Sequence, residues 1–166
     1  PEDIFAGKLV VMDQEFRSYA TPDSNSFTIR MDALLIILVY QGEARMTIDH
    51  ISYHLKKDHV VILGKNHLLD QIRVSHDYKG VLIACESDFP GYIFGAENHV
   101  LLDELISLRL NPVQQLKEKE MEFIRGVVSR LRRNIRRDKH KFQQTLVYNE
   151  FSTFLLELWT CITSRN

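Results

Sequence analysis

Ile29-Arg-Met-Asp-Ala-Leu-Leu-Ile-Ile-Leu-Val-Tyr-Gln41 runs directly into Gly42, and two shorter apolar-rich segments, Ala44-Arg-Met-Thr-Ile48 and Ile51-Ser-Tyr-His-Leu55, follow at once. In the long segment the charged residues Arg30 and Asp32 fall on even positions. The odd set, Ile29, Met31, Ala33, Leu35, Ile37, Val39 and Gln41, carries no charge. Successive side chains of a strand point to opposite faces, so the odd set is expected to face a protein interior. The same parity places Met46 and Ile48 inside on the second segment and Tyr53 and Leu55 inside on the third. His67, Leu69 and Gln71 share one parity on a further strand after Gly64.

Working outward, residues 8–12, 27–40, 44–48, 51–55, 60–63, 69–74 and 81–85 are short runs rich in β-branched and aromatic residues. Turn-forming stretches such as Thr21-Pro-Asp-Ser-Asn-Ser26, Gln41-Gly-Glu43 and Gly64-Lys-Asn66 separate them. Many short strands at such spacing predict a sandwich or barrel. Near residue 97 the period changes. Residues 97–110 place Val100, Leu101, Leu105 and Leu108 at helical spacing, and Asn111-Pro112 ends that helix. Residues 117–137 carry the stripe Met121, Ile124, Val128, Leu131 and Ile135, spaced three and four apart. A last helix is predicted over 142–163, with Leu146, Phe151, Phe154, Leu155, Leu158 and Ile162 inward. The fold class is therefore α+β, with a barrel over residues 1–96 and a helical segment over 97–166 packed on it as one compact unit.

The chain has 166 residues, of which 45% are hydrophobic, enough for one domain with a core. Its longest apolar run, residues 33–40, falls short of the roughly 18 residues of a membrane span. No signal peptide is visible at Pro1-Glu2-Asp3-Ile4. Two cysteines, Cys85 and Cys161, are too few for a disulfide framework and fit a reducing compartment. The formal charge of −1 argues against a nucleic-acid coat. It is unevenly spread: between Lys117 and Lys141, ten basic residues face four acidic ones, a surplus of six.

Arg30-Met-Asp-Ala-Leu-Leu-Ile-Ile-Leu-Val-Tyr-Gln-Gly-Glu-Ala-Arg-Met-Thr-Ile-Asp49, then Ile51-Ser-Tyr-His-Leu-Lys-Lys-Asp-His-Val-Val-Ile-Leu63 and His67, resembles the cupin barrel of an AraC-type transcription regulator. In that family a long strand ends in a glycine turn, here Gly42. A tyrosine-x-leucine strand, here Tyr53 and Leu55, leads into a Pro-Gly-Asp turn, and a histidine follows the next strand. This chain departs at that turn, where Asp58 stands in place of glycine; Asp tolerates the left-handed conformation better than most residues. The resemblance implies a cupin-like double-stranded β-helix (jelly-roll) followed by C-terminal helices, in a cytoplasmic bacterial protein. It also implies a homodimer, and DNA binding only through a C-terminal helix-turn-helix domain outside this chain.

His50 and His54 share a strand face but lie about 13 Å apart along it, too far for one metal ion. No metal site, cofactor or catalytic residue is therefore expected, and Cys85 and Cys161 read as core. The arginines of Ser129-Arg-Leu-Arg-Arg-Asn-Ile-Arg-Arg137 read as the solvated faces of a packed helix. The expected ligand site lies inside the barrel, with Gln41, Tyr53, His67 and Gln71 orienting a small, uncharged effector and Met46 and Leu69 packing against it. The stripe Met121, Ile124, Val128, Leu131 and Ile135 is expected to form the dimer interface. The expected function is effector sensing and dimerisation, without catalysis. The rival reading is a stand-alone cupin enzyme, an isomerase or dioxygenase.

Overall fold

The computed structural model describes residues 2–19, 28–86, 89 and 111–163. In chain order these form β1 (Glu2–Phe5), β2 (Leu9–Glu15), a 3-10 turn (Phe16–Tyr19), β3 (Thr28–Arg30), β4 (Ala33–Gln41), β5 (Ala44–Ile48) and β6 (Ile51–Leu55). They continue with β7 (His59–Leu63), β8 (Leu68–Val74), β9 (Lys79–Glu86), β10 (Val113–Gln115), α1 (Glu118–Arg136) and α2 (Gln143–Thr163). The strands make a six-stranded sheet of order β1-β2-β9-β4-β7-β10 and a four-stranded sheet of order β3-β8-β5-β6. From β3 onward the chain passes back and forth between the two sheets, the winding expected of a double-stranded β-helix. The helix expected over 97–110 lies outside the described residues.

Two apolar layers explain the composition of the strands. Leu35, Ile37 and Val39 of β4 meet Met46 and Ile48 of β5, Leu55 of β6 and Leu69 and Ile72 of β8, filling the space between the sheets. The alternate residues of the large sheet, including Ile36, Leu38, Val60, Ile62, Val81 and Ile83, face the other way and are covered by α1 and α2. The large sheet is thus buried on both faces, which is why β4, β7 and β9 are nearly continuous apolar runs. The small sheet is buried on one face only, and β5 alternates accordingly: Ala44, Met46 and Ile48 are buried while Arg45 is exposed.

Turn chemistry fixes the register. Asp49 and His50 both adopt positive φ, 50° and 68°, as a two-residue hairpin between paired Ile48 and Ile51 requires. Asp58 takes φ 71°, so the turn survives without its glycine. Gly42 has φ 76°, and a Cβ there would lie 2.8 Å from the backbone of Tyr78. In β8 the expected parity breaks. Gln71 has φ 49°, and the β5–β8 ladder shifts register between Arg45 and Thr47. The resulting bulge turns Ile72 inward and leaves Gln71 exposed.

The helical segment corrects the expected dimer interface. Met121, Ile124, Val128, Leu131 and Ile135 are between 0% and 4% exposed within the single chain, packed against the large sheet and α2. The stripe is wide because α1 touches two neighbours of its own chain. These residues are intramolecular core and offer no surface to a second copy. Glu120 accepts the Lys117 N–H at 2.8 Å and fixes the start of α1. Two short strands have no counterpart in the sequence reading. One is β1, paired with β2; the other is β10, which lies between the helices expected over 97–110 and 117–137 and pairs with β7.

Candidate functional site

Of the six residues expected to converge on a ligand, Met46, Tyr53 and Gln71 border one groove on the small sheet, and Gln41, His67 and Leu69 lie outside it. Met46 and Leu69 are 2% and 4% exposed, enclosed in the packed layer between the sheets. Tyr53 is half-buried at the margin of that layer. Gln41 is exposed at the end of β4, where its Nε2 donates to Asp77 O at 2.9 Å. The bulge carries Gln71 to the outer face of the small sheet. His67 is buried, but its ring is already engaged: Nδ1 lies 2.7 Å from Asp49 Oδ2, whose other oxygen accepts the Leu68 N–H at 2.8 Å. Because a carboxylate only accepts, His67 Nδ1–H is the donor. The pair ties the tip of the β5–β6 hairpin to the start of β8, so His67 serves as a latch at the end of the barrel.

An open polar cleft of about 650 Å³ lies instead where α1 crosses the ends of β2, β4 and β9. Its walls include Asp13, Gln14 and Glu15 of β2, Tyr40 and Gln41 of β4, Lys79 of β9 and Arg125 of α1. Gln41 is the one expected ligand residue found there. The Arg125 guanidinium sits 4.1 Å from the centre of the Tyr40 ring, a cation–π contact between helix and sheet. Burial pushes the Tyr40 phenol up to about 12, with the nearby Arg125 and Arg132 charges opposing the rise. Tyr40 is therefore a neutral hydroxyl at any physiological pH. Glu15 is occupied by Arg17 at 2.7 Å.

From the cleft a charged network runs under α1. Arg132, only 8% exposed, donates from Nη1 to Asp13 Oδ1 at 2.6 Å and from Nε to Asp3 Oδ2 at 2.6 Å. Arg136 donates to the same Asp3 through Nε at 2.8 Å and Nη2 at 3.0 Å. Burial by itself raises the Asp3 carboxyl, but its hydrogen bonds from Arg136 and Arg132 prevail and hold it below the usual carboxylate range. Burial likewise disfavours the charge on Arg132, and its bonds to Asp13 and Asp3 outweigh that effect, raising its pKa. Arg132 corrects the reading of the basic run as uniformly solvated. Arg130, Arg133, Arg136 and Arg137 are exposed, but Arg132 points into the protein. The sequence signal was present: Arg132 follows Met121, Val128 and Leu131 on the same stripe, facing the two acids of β1 and β2.

Cys85 and Cys161 are buried thiols not joined in a disulfide. Among the described residues no three His, Cys, Asp or Glu side chains are grouped so as to hold a metal ion. No helix among them is long and apolar enough to cross a membrane.

The sequence matches no family profile and no curated protein. Its structure is similar to that of ToxT from Vibrio cholerae, with a TM-score of 0.52 and 13% identity over 98% of this chain and 60% of that one. It is also similar to the AraC-like transcriptional activator CuxR, with a TM-score of 0.47 and 11% identity over 93% of this chain and 48% of that one. The cupin domain of Cnp3 from Schizosaccharomyces pombe matches at a TM-score of 0.40 and 11% identity, over 54% of this chain and 64% of that one. The fold is cupin-like and α+β, two antiparallel sheets with C-terminal helices, and its structural neighbours include cupin proteins and AraC-like regulators. The chain spans about 60% of the length of ToxT.

Proposed function

We propose that this chain is the effector-sensing and dimerisation domain of an AraC-type transcription regulator, acting in the cytoplasm through a helix-turn-helix domain outside this chain. The observation that carries this reading is the shared wall of the cleft. Asp13 lines the cleft and at the same time accepts from Arg132 of α1, while Arg125 of the same helix also lines it. A ligand that binds there touches the sheet and the helix together, so it favours one placement of α1 over another by its differential contacts. The likeness to ToxT extends through the helices, covering 98% of the chain, which suits a barrel that works with its helices.

The effector class follows from the walls. The lining carries the cations Lys79, Arg125 and Arg17 and the anions Asp13 and Glu15, with Arg17 paired to Glu15, while Tyr40, Gln14, Gln41 and Ser18 supply neutral donors and acceptors. That lining suits a small polar or zwitterionic molecule, which replaces the apolar effector expected for the barrel interior. Two copies would pair through the outward face of α1, where Phe123 is 50% exposed. In this reading the His67–Asp49 bond is structural, a latch between the β5–β6 turn and the start of β8. The test is a thermal-shift screen of polar metabolites against the wild type and Arg125→Ala. Stabilisation of the wild type that is lost in the variant supports the reading; an effect equal in both removes the cleft as the site.

A further inference from the structure

On the side of the molecule away from the helices, the outer face of the small sheet carries a row of basic side chains set directly across neighbouring strands. Arg45 of β5 is the ladder partner of Arg73 of β8 on one side and of His54 of β6 on the other. All three are exposed. Like charges directly opposite one another on a sheet repel. Yet neither guanidinium makes a hydrogen bond or ion pair with a described residue. Glu43 lies 3.4 Å from His54, and Asp70 stands across the ladder from Thr47 with its Oδ1 buried and making no hydrogen bond among the described residues, so neither carboxylate is paired with an arginine.

The backbone places Arg73 there at a cost. Leu69 faces the interior, so an unbroken strand would point Gln71 and Arg73 inward as well. The bulge at Gln71, a non-glycine residue with φ 49°, reverses the parity and brings both side chains to the outer face, where Arg73 meets Arg45. A groove of about 340 Å³ results, lined by Arg45, Arg73, His54 and Gln71, by Met46 and Tyr53, and by the paired residues Thr47 and Ser52; Glu43 stands in the adjoining groove that shares Arg45, His54 and Arg73.

We propose that this groove is a second binding site, which takes a small phosphorylated metabolite with its phosphate dianion held by Arg45 and Arg73. Two guanidinium groups match a dianion in charge, and each presents a planar pair of N–H donors suited to phosphate oxygens. The Thr47 and Ser52 hydroxyls and the Gln71 amide remain for the rest of the ligand. The groove volume falls within the range of small-ligand sites.

Isothermal titration of glycerol 3-phosphate, glucose 6-phosphate and AMP against the chain, each paired with its dephosphorylated parent and with citrate as a non-phosphate anion, tests this at about 150 mM salt. At least one phosphate ester is expected to bind about tenfold or more tightly than its parent and than citrate. Arg45→Gln and Arg73→Gln are each expected to weaken it about tenfold, and the double variant to abolish it. Arg125→Ala, in the cleft of the proposed effector, is expected to leave it unchanged, so the two sites fail or stand separately. Without ligand, Arg73→Gln is expected to melt no lower than the wild type, because it relieves the repulsion. Binding by none of the esters, binding unchanged in the double variant, or binding of citrate as tight as any ester would each overturn the proposal.

Discussion

Asp13 Oδ1 and Arg132 Nη1 lie 2.6 Å apart, and through this bond a residue of the cleft wall is joined to the core-facing side of α1. Arg132 is nearly enclosed, whereas Asp13 keeps its outer edge open to the cleft. The bond therefore has a dry end and a wet end, the arrangement in which a small molecule can compete for the carboxylate without the helix losing its other anchor at Asp3.

The enclosure of Arg132 predicts a large stability cost when it is cut. Arg132→Met leaves Asp3 with Arg136 alone and Asp13 without its partner, and removing one member of a buried pair typically costs about 3–5 kcal/mol. Urea unfolding of the variant measures this. Combining Arg132→Met with Asp3→Asn is expected to cost less than the sum of the two single changes, because the residual buried charge is then gone. A loss below about 1 kcal/mol for Arg132→Met would mean that solvent screens the network as it does at a surface.

Acid should weaken the same junction. The Asp3 carboxyl is held below its ordinary value in the folded chain, so the folded state binds its proton less readily than the unfolded state does. Its contribution is fully present above the unfolded pKa of about 3.9 and is lost as the pH falls through the lowered folded value. Stability measured from pH 6 down to pH 2 is expected to fall more steeply for the wild type than for Asp3→Asn. Parallel curves would contradict this.

Leu131 distinguishes intramolecular core from dimer interface. Its side chain is fully buried in one chain, so Leu131→Ala is expected to cost about 2–5 kcal/mol, with no dependence on protein concentration. Chemical unfolding at two concentrations about a hundredfold apart checks it. Leu131→Glu is expected to unfold the chain; a folded monomer from that variant would restore the stripe to a role between copies.

Gly80 marks a close approach of β9 to its neighbour. A Cβ there would lie 2.6 Å from Leu38 O, a backbone atom with no room to yield, and 2.7 Å from the Tyr78 hydroxyl. Gly80→Ala is expected to destabilise by about 1–3 kcal/mol, as overpacking does. Gly7, with open space around its Cβ position but a φ of 67°, is expected to lose less on the same change.

The sequence made some of this legible and hid the rest for physical reasons. The parity was read through residues 29–41 as one strand; within β4 it holds, since Leu35, Ile37 and Val39 fill the space between the sheets, but Arg30 belongs to β3 of the other sheet and Ile29, expected inside, is exposed. The burial of the other face was signalled only by the apolar Ile36 and Leu38, whose cover is formed by helices roughly eighty or more residues further on. Parity failed at Gln71 because a bulge inserts one residue and reverses every later side chain. The spacing of Leu69 and Ile72, three apart where a regular strand keeps to two, is the trace it left. His67 is buried at the end of the barrel, and its partner Asp49 lies in a turn 18 positions away, beyond any local pattern. The cleft was invisible because it joins three strands and a helix through polar residues that read individually as surface.

The most direct test of the account asks whether occupation of the cleft is felt along α1. Amide hydrogen exchange of residues 118–136 is to be measured with and without a polar metabolite that stabilises the wild type in the thermal-shift screen, in parallel on wild type and Arg125→Ala. A saturating ligand at about a hundred times its Kd stabilises the folded state by about 2.7 kcal/mol. The account predicts slowed exchange concentrated between Arg125 and Arg136 in the wild type and little change in the variant. Slowed exchange confined to β4, β5 and β8 and undiminished in Arg125→Ala would place the effector between the sheets and contradict it.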